Sequence, residues 1–286
     1  MTAKRVALVT GASTGIGRSV AETLARNGYV AFAGMRDPNG RNRAARDEVA
    51  GLAAAGIPIE AVALDVTDDA SVAAAVATVV EKTGKIDVLL NNAGGCLMGL
   101  TECGSVDLLR RLLDTHVLGT QRVCRAVLPH MRRRRTGVLA FTSSLGGRVV
   151  IPTTTLYCAA KAGMEMIAEG YKRDLASFGI EVVILEPGMV QTKIFDNMWL
   201  DDDTARAAEY GALGGVARAT LEMVKTMKGP PPEELADVLL RLLEMPHGQR
   251  PLRTTFGADA ALVDPVNVAA DEATRALHAV YGVDGG

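Results

Sequence analysis

VTGASTGIGRS, residues 9–19, joins an apolar run to a segment of helical period through Gly11, Gly15 and Gly17. Glycines crowded between a strand and a helix mark a tight turn whose backbone a ligand can approach closely. On either side of it, runs rich in Val, Ile and Leu at 4–10, 29–35, 58–65, 86–92, 137–144 and 180–187 predict strands. Each is apolar on both sides, the pattern of strands sandwiched between two helical layers. A late strand near 251–256 completes the series. Segments near 16–27, 40–55, 68–84, 105–134 and 155–178 carry helical periodicity. This alternation through about residue 190 predicts an α/β chain: a doubly wound parallel sheet of about seven strands with helices on both faces, in the Rossmann manner.

No Pro/Ser-rich linker divides the sequence and no internal repeat is present, so residues 1–286 are expected to form a single domain. Residues 189–230, with EYGALGG and KGPPPEE, break the rhythm and are expected to form a helical insertion covering a substrate.

Hydrophobic residues make up 48% and charged residues 22%, with a formal net charge of −2. That balance gives no general attraction to nucleic acid or anionic membrane. The run RRRR at 132–135 is a local exception, expected to favour a helix C-terminus and to stay solvated. Cys96, Cys103, Cys124 and Cys158 form no CxxC pair and have no His at metal spacing, so reduced thiols and a cytoplasmic setting are expected. The N-terminus lacks the features of a signal peptide, and no run approaches the roughly 20 apolar residues a membrane helix needs. Four histidines and the acids form no metal motif such as HExxH, and no metal is expected.

A helix N-terminus offers free N–H groups and partial positive charge, so the glycine turn favours a bound phosphate, although glycines there can also be purely structural. The spacing is GxxxGxG. The second strand of such folds usually ends in an acid that holds the ribose 2′-hydroxyl of NAD. Here FAGMRDP puts Met35 and Arg36 at that point. A planar, permanent cation suits the 2′-phosphate of NADP, making NAD the second choice. The competing reading is a surface Arg neutralised by Asp37. Asp65, in LDVTDD, is placed either to accept from an adenine amino group or to make a turn before a helix capped by Thr67. NNAG, residues 91–94, ends the fourth strand at the same sheet edge, where open α/β sheets bind ligands.

TSSLGGRVVIPTTTLYCAAK carries the chemistry. Tyr157 and Lys161, at i and i+4, project from one helix face. Ser144 ends the preceding strand and reaches the same space. A phenol acting as a base near pH 7 needs roughly 4 kcal/mol in favour of phenolate. A nearby ammonium and a positive nicotinamide push that way, and a serine hydroxyl can donate to a carbonyl or alkoxide oxygen.

Taken together, TGxxxGxG, NNAG, the Ser and YxxxK resemble the short-chain dehydrogenase/reductase family, in order from residue 4 to about 192. The resemblance implies Tyr157 as acid/base and Ser144 polarising the substrate oxygen. It implies that Lys161 lowers the Tyr157 pKa and holds the nicotinamide ribose. EPGMVQT would put Pro187, Gly188, Val190 and Thr192 around the nicotinamide. Gly11, Ser13, Thr14, Gly15, Ile16, Gly17, Arg36, Asp65, Val66, Asn92, Ala93 and Gly94 would carry the rest of the cofactor. AGMRDP and SLGGRVVIPTTTLYCAAKAGMEM look most like the branch with 17β-hydroxysteroid and retinol dehydrogenases and bacterial ketone reductases, which implies an apolar alcohol or ketone. Cys96, Leu97, Met98, Leu145, Ile151, Met189, Ile194 and Phe195 are either pocket walls or ordinary core.

One position departs from the family pattern. His116 stands where an Asn is usual, within HVLG, with Gly119 in place. The family Asn acts largely through its main-chain carbonyl, which His116 can preserve in a proton relay. The expected activity is an NADP(H)-dependent oxidoreductase. A nucleotide-binding sensor or scaffold without turnover is the alternative, and a sugar-nucleotide epimerase would need a longer C-terminal region. Long helices near 105–134 and 155–178, apolar on more than one side, imply a homodimer or homotetramer.

Overall fold

The computed structural model describes residues 4–282. In chain order the strands are β1 (Val6–Val9), β2 (Val30–Met35), β3 (Ile59–Ala63), β4 (Val88–Asn91), β5 (Leu97–Met98), β6 (Gly137–Thr142), β7 (Ile180–Pro187), β8 (Trp199–Leu200) and β9 (Arg253–Phe256). Seven of them form one parallel sheet in the order β3-β2-β1-β4-β6-β7-β9, and β5 and β8 form a separate parallel pair. The helices are α1 (Gly15–Arg26), α2 (Arg43–Ala54), α3 (Asp69–Thr83), α4 (Val106–Leu113), α5 (Gly119–Arg134), α6 (Thr155–Leu175), α7 (Thr204–Glu209), α8 (Val216–Thr226), α9 (Pro232–Glu244) and α10 (Asp264–Val280).

Side chains alternate across a strand, and here both alternating sets are apolar. In register, Phe32, Leu8, Leu89, Leu139 and Val182 form one row across five strands. That row packs against Val72 and Val76 of α3, Val123 and Val127 of α5, and Met164 of α6. The next row, Ala33, Val9, Leu90, Ala140 and Val183, faces Val20 and Leu24 of α1, Val49 of α2, and Leu235 and Leu239 of α9. Burying each large apolar side chain contributes about 1.5–3 kcal/mol. The doubly wound architecture read from the sequence is therefore the one observed. From β1 the chain builds outward first through β2 and β3 and then, on the other side, through β4, β6, β7 and β9. This opens a crevice at the C-terminal ends of β1 and β4.

Several local expectations are corrected. The helix near 105–134 is two helices separated by a π turn, Asp114–Leu118, in which the Gly119 N–H reaches back to the Asp114 carbonyl. The α3 N-cap is Asp68, whose carboxylate accepts from the Ala70 N–H at 2.9 Å; Thr67 lies one residue too early. Arg134 is not simply solvated. It donates to the Ile86 carbonyl and to Asp87 at 2.6 Å, and Asp87 also accepts from the Val6 N–H at 2.7 Å and pairs with Lys85 at 3.0 Å. α9 and α10 lie beyond the predicted elements. Residues 189–230 hold β8, α7 and α8, so the expected helical character is joined by a two-residue strand. The Trp199 N–H donates to the Cys96 carbonyl at 2.9 Å, and Asp201 accepts from the Leu100 N–H at 3.2 Å, tying this segment down along β5.

Candidate active site

The glycine turn is built by a hydroxyl. Thr10 Oγ1 donates to the Leu90 carbonyl and accepts from the N–H groups of Asn92 (2.9 Å) and Ala93 (3.0 Å). Asn92 Nδ2 in turn donates to the carbonyls of Thr10 and Gly11. Gly11 has φ +66°, and a Cβ there would stand 2.7 Å from Ala93 Cα. Only glycine meets both demands. The NNAG and glycine segments thus form one scaffold.

A cleft of about 310 Å³ opens above it. Of the predicted cofactor residues, Gly11, Ser13, Thr14, Gly15, Ile16, Arg36, Asp65, Val66, Asn92, Ala93, Gly94 and Thr192 line this cleft. Gly17 sits behind the wall against Asn92 Nδ2. Pro187, Gly188 and Val190 also stand off it; Val190 is buried, and the Gly188 N–H donates to the Phe256 carbonyl at 2.8 Å. The chemistry of the wall fits a dinucleotide. Thr14 makes no side-chain cap to α1, and no acid occupies the first turn, so the helix start presents N–H groups and positive potential to an anion.

At the far end, Arg36 and Arg41 both line the cleft. Asp37, at φ +41°, accepts from the N–H groups of Gly40 (3.0 Å) and Arg41 (2.8 Å), so its carboxylate is engaged in the turn rather than paired with Arg36. Neighbouring Arg43 and Arg46 pair with Asp47. Arg36 and Arg41 have no carboxylate partner among the described residues. Arg41 was not foreseen, although NGRNR in the turn after β2 held the signal. Asp65 lines the cleft and also makes the turn, its Oδ1 accepting from the N–H and hydroxyl of Thr67.

Ser144, Tyr157, Lys161 and His116 are buried; His116 lies against Gly94, and Tyr157 and Lys161, expected to touch the cofactor, stand off the cleft lining. Helical spacing brings Lys161 Nζ to 5.7 Å from the Tyr157 ring, and the ammonium donates to the Thr142 carbonyl at 2.7 Å. Burial pulls the Lys161 pKa down to about 8. Burial also pushes the Tyr157 phenol well above its ordinary value, and the Ser144 hydroxyl, within reach of it, only partly opposes this. Burial thus outweighs the hydrogen bond and the phenol is protonated at neutral pH, whereas the lowering expected of Lys161 concerns the site with an oxidised nicotinamide beside it. The His116 ring meets the Tyr157 ring edge-on at a centroid distance of 5.8 Å. Burial, followed by the nearby Lys161 charge, takes the His116 pKa down to about 3, so the imidazole is neutral and no base at pH 7.

Among the expected pocket walls, Cys96 and Ile151 pack with Tyr157, together with Met198 and Cys158. Leu97 instead joins Leu108 and Leu112, while Met98 and Phe195 join Leu221. Leu145 lies against Gly188, Met189 against Gly229, and Ile194 on the cleft wall. Met198 was missed because its segment has no periodicity. Trp199 and Arg111 were missed too; the guanidinium stacks 4.3 Å above the indole, and both line the cleft. Among the described residues no His/Cys/Asp/Glu group is arranged to hold a metal, and no helix is long and apolar enough to cross a membrane.

The short chain dehydrogenase family model matches residues 5–203. The chain is 37% identical over 202 residues to 17-beta-hydroxysteroid dehydrogenase type 1 of Mus musculus, covering 68% of this chain and 56% of that one. It therefore spans little more than half the length of that relative. It is 31% identical over 206 residues to 3-ketodihydrosphingosine reductase of Bacteroides thetaiotaomicron, covering 72% of this chain and 71% of that one. A solved structure of a short-chain dehydrogenase from Streptomyces avermitilis aligns with a TM-score of 0.80 at 30% identity, over 99% of this chain and 98% of that one.

Proposed function

The chain belongs to the short-chain dehydrogenase family, on its 17β-hydroxysteroid-dehydrogenase-like side, and from that premise we propose an NADP(H)-dependent oxidoreductase acting on an apolar secondary alcohol or ketone. The observation that carries the reading is that Tyr157, Lys161 and Ser144 are buried together, with Tyr157 linked to the Gly94–Gly95 wall of the cleft through the His116 ring. A surface Tyr and Lys would need no such arrangement.

Nicotinamide, when bound, would supply or accept the hydride. The protein's part is the proton. A phenol whose pKa is raised by burial is protonated at neutral pH, so Tyr157 stands ready to give its proton to a carbonyl oxygen during reduction. Ser144 donates to the same oxygen as negative charge develops there. Lys161, anchored on Thr142, keeps a positive charge beside the phenol and favours the tyrosinate left behind. Alcohol oxidation runs these roles in reverse.

Arg36 and Arg41, cations on the cleft wall without carboxylate partners among the described residues, support NADP over NAD. Cys96, Ile151 and Met198 around Tyr157 support an apolar substrate, with residues 189–230 as its cover and the whole chain as one domain. Four free, buried cysteines support a reducing, cytoplasmic setting. Leu118 beside α5 and Met166 on α6 expose apolar surface, in keeping with a homodimer or homotetramer built on these helices.

A panel of apolar ketones and alcohols with NADPH/NADP and NADH/NAD tests the reading. Turnover is expected with NADPH or NADP, and Tyr157→Phe should lose at least about a thousandfold, within the range of general-acid effects. Nucleotide binding with no turnover on any substrate, or a Tyr157→Phe protein as fast as wild type, would overturn it.

A further inference from the structure

A second buried polar cluster lies beneath the site. Glu165 follows Tyr157 and Lys161 at i+8 and i+4 on α6 and is wholly buried. It hydrogen-bonds to the hydroxyl of Ser143, the residue before Ser144. Glu186, also wholly buried, precedes Pro187 at the end of β7 and accepts from Asn267 of α10 at 2.5 Å. Between them lies Arg253 of β9. Its terminal nitrogens are committed outward, to Asp271 of α10 at 2.5 Å and to Glu169 of α6. Only its Nε faces the inner carboxyls, at 3.4 Å from Glu186 and 3.9 Å from Glu165, and it makes no hydrogen bond. Arg148 is the other cation, 3.5 Å from Glu165 and 3.4 Å from Glu169.

Four carboxyls thus face two guanidiniums, and the two wholly buried carboxyls are the ones without a direct hydrogen bond from Arg253. With both inner carboxyls ionised, four negative charges would stand against two guanidiniums, of which Arg148 is shared between Glu165 and Glu169. We propose that Glu165 and Glu186 hold one proton between them, and that this protonated pair, with Arg253 and Asn267, makes α10 a positioning element for Ser144 and the Pro187–Gly188 turn. Burial and the mutual repulsion of the two carboxyls bring Glu186 up to about 7, and Glu165 is raised by burial as well. Tyr157 and Lys161 are the titratable groups facing the cluster from the catalytic side. The role given to Ser144 rests on the oxidoreductase reading above, whereas the shared proton does not.

The test is the melting temperature of the whole chain from about pH 5 to about pH 8.5, with kinetics beside it. The raised carboxyl stabilises the fold fully below the ordinary glutamate value of about 4.3 and loses that contribution as pH rises through about 7. Buried His116, its pKa lowered to about 3, gains stability with rising pH in both proteins, so the readout is the difference: wild type should lose stability relative to Glu186→Gln as pH rises from about 5 through about 7. Glu165→Gln serves equally if Glu186→Gln does not fold. A wild-type slope retained in both variants would overturn the shared proton. Melting needs no turnover, so this result stands or falls apart from the enzyme reading. For positioning, Asn267→Ala and Glu165→Ala should lower kcat by about tenfold or more with little change in KM, and Glu165→Gln should restore most of the Glu165→Ala loss. Undiminished kcat in both alanine variants would overturn the positioning role.

Discussion

The imidazole of His116 lies 2.8 Å from the Gly95 carbonyl through Nε2, with the Gly95 N–H 3.3 Å from the same nitrogen. Nε2 cannot both give and take a proton, and the shorter contact assigns the N–H to Nε2 as donor to the carbonyl. Nδ1 is then a buried acceptor without a partner among the described residues. His116 thereby pins the inner wall of the cleft to the π turn that interrupts the helix pair, a place where such turns often serve function.

His116→Asn should leave kcat within about tenfold, roughly 1.4 kcal/mol of barrier. A neutral ring with a pKa near 3 adds no proton chemistry at pH 7 that an amide lacks. A loss of a hundredfold or more at saturating substrate would show that the imidazole itself takes part.

Gly94→Ala should be far more damaging than its size suggests. A Cβ at this position would stand 2.3 Å from the His116 ring, so either the ring or the wall must move. We expect a stability loss of about 1–3 kcal/mol, the usual cost of overpacking, together with weaker nucleotide binding. Denaturant melts and a nucleotide titration check both, and an unchanged protein would contradict the contact.

Arg36→Ala should weaken NADP binding by about tenfold or more while leaving NAD within about twofold, since only the 2′-phosphate distinguishes the two. Arg41→Ala should act in the same direction. Equal losses for both nucleotides would refute the assignment. The sequence pointed to Arg36 because it stands at a strand end. It could not show that Asp37 turns back onto the amides of Gly40 and Arg41, which depends on a positive φ at a non-glycine residue.

For carbonyl reduction, kcat/KM should fall as pH rises past about 8. Lys161 loses its proton there, while the phenol, raised by burial, still holds its own. The limb therefore belongs to the lysine. A profile flat to about pH 10 would remove Lys161 charge from the mechanism.

Asp87→Asn should destabilise the fold by about 2–3 kcal/mol, because Arg134 and Lys85 lose their shared partner. Arg134, Lys85 and the Val6 N–H hold the carboxyl below the ordinary aspartate value against the opposing pull of burial. Its contribution is thus complete above about pH 4 and is lost as acid carries the pH through the depressed value. Melting at neutral and at acid pH checks this; a variant equally handicapped at both would contradict the ionic origin.

What the sequence disclosed follows from the range of the forces involved. Strands buried on both faces write themselves as apolar runs, so the sheet was legible, and Tyr157 and Lys161 were visible because helical spacing alone unites them. The π turn was hidden, since Leu113 to Thr120 reads as uninterrupted helix and the extra residue appears only in hydrogen bonding. The β5–β8 pair has two residues a side, too few for a period, and joins segments about a hundred positions apart. Glu165 looks like the polar side of an amphipathic helix until Ser143 and Arg253 are brought against it. Glu186, an acid within IEVVILEP, did carry a signal: a carboxyl in an otherwise fully apolar strand must find a partner inside.

Trp199 is the sole tryptophan of the sequence. It lies against Gly95 and beneath the Arg111 guanidinium on the wall of the cleft. The protein therefore carries one indole, which excitation to the red of its five tyrosines addresses alone, at the place where occupancy matters. Filling the cleft or loosening the segment that bears the ring would alter its quenching directly, so ligand entry can be followed in real time without a label or a known substrate.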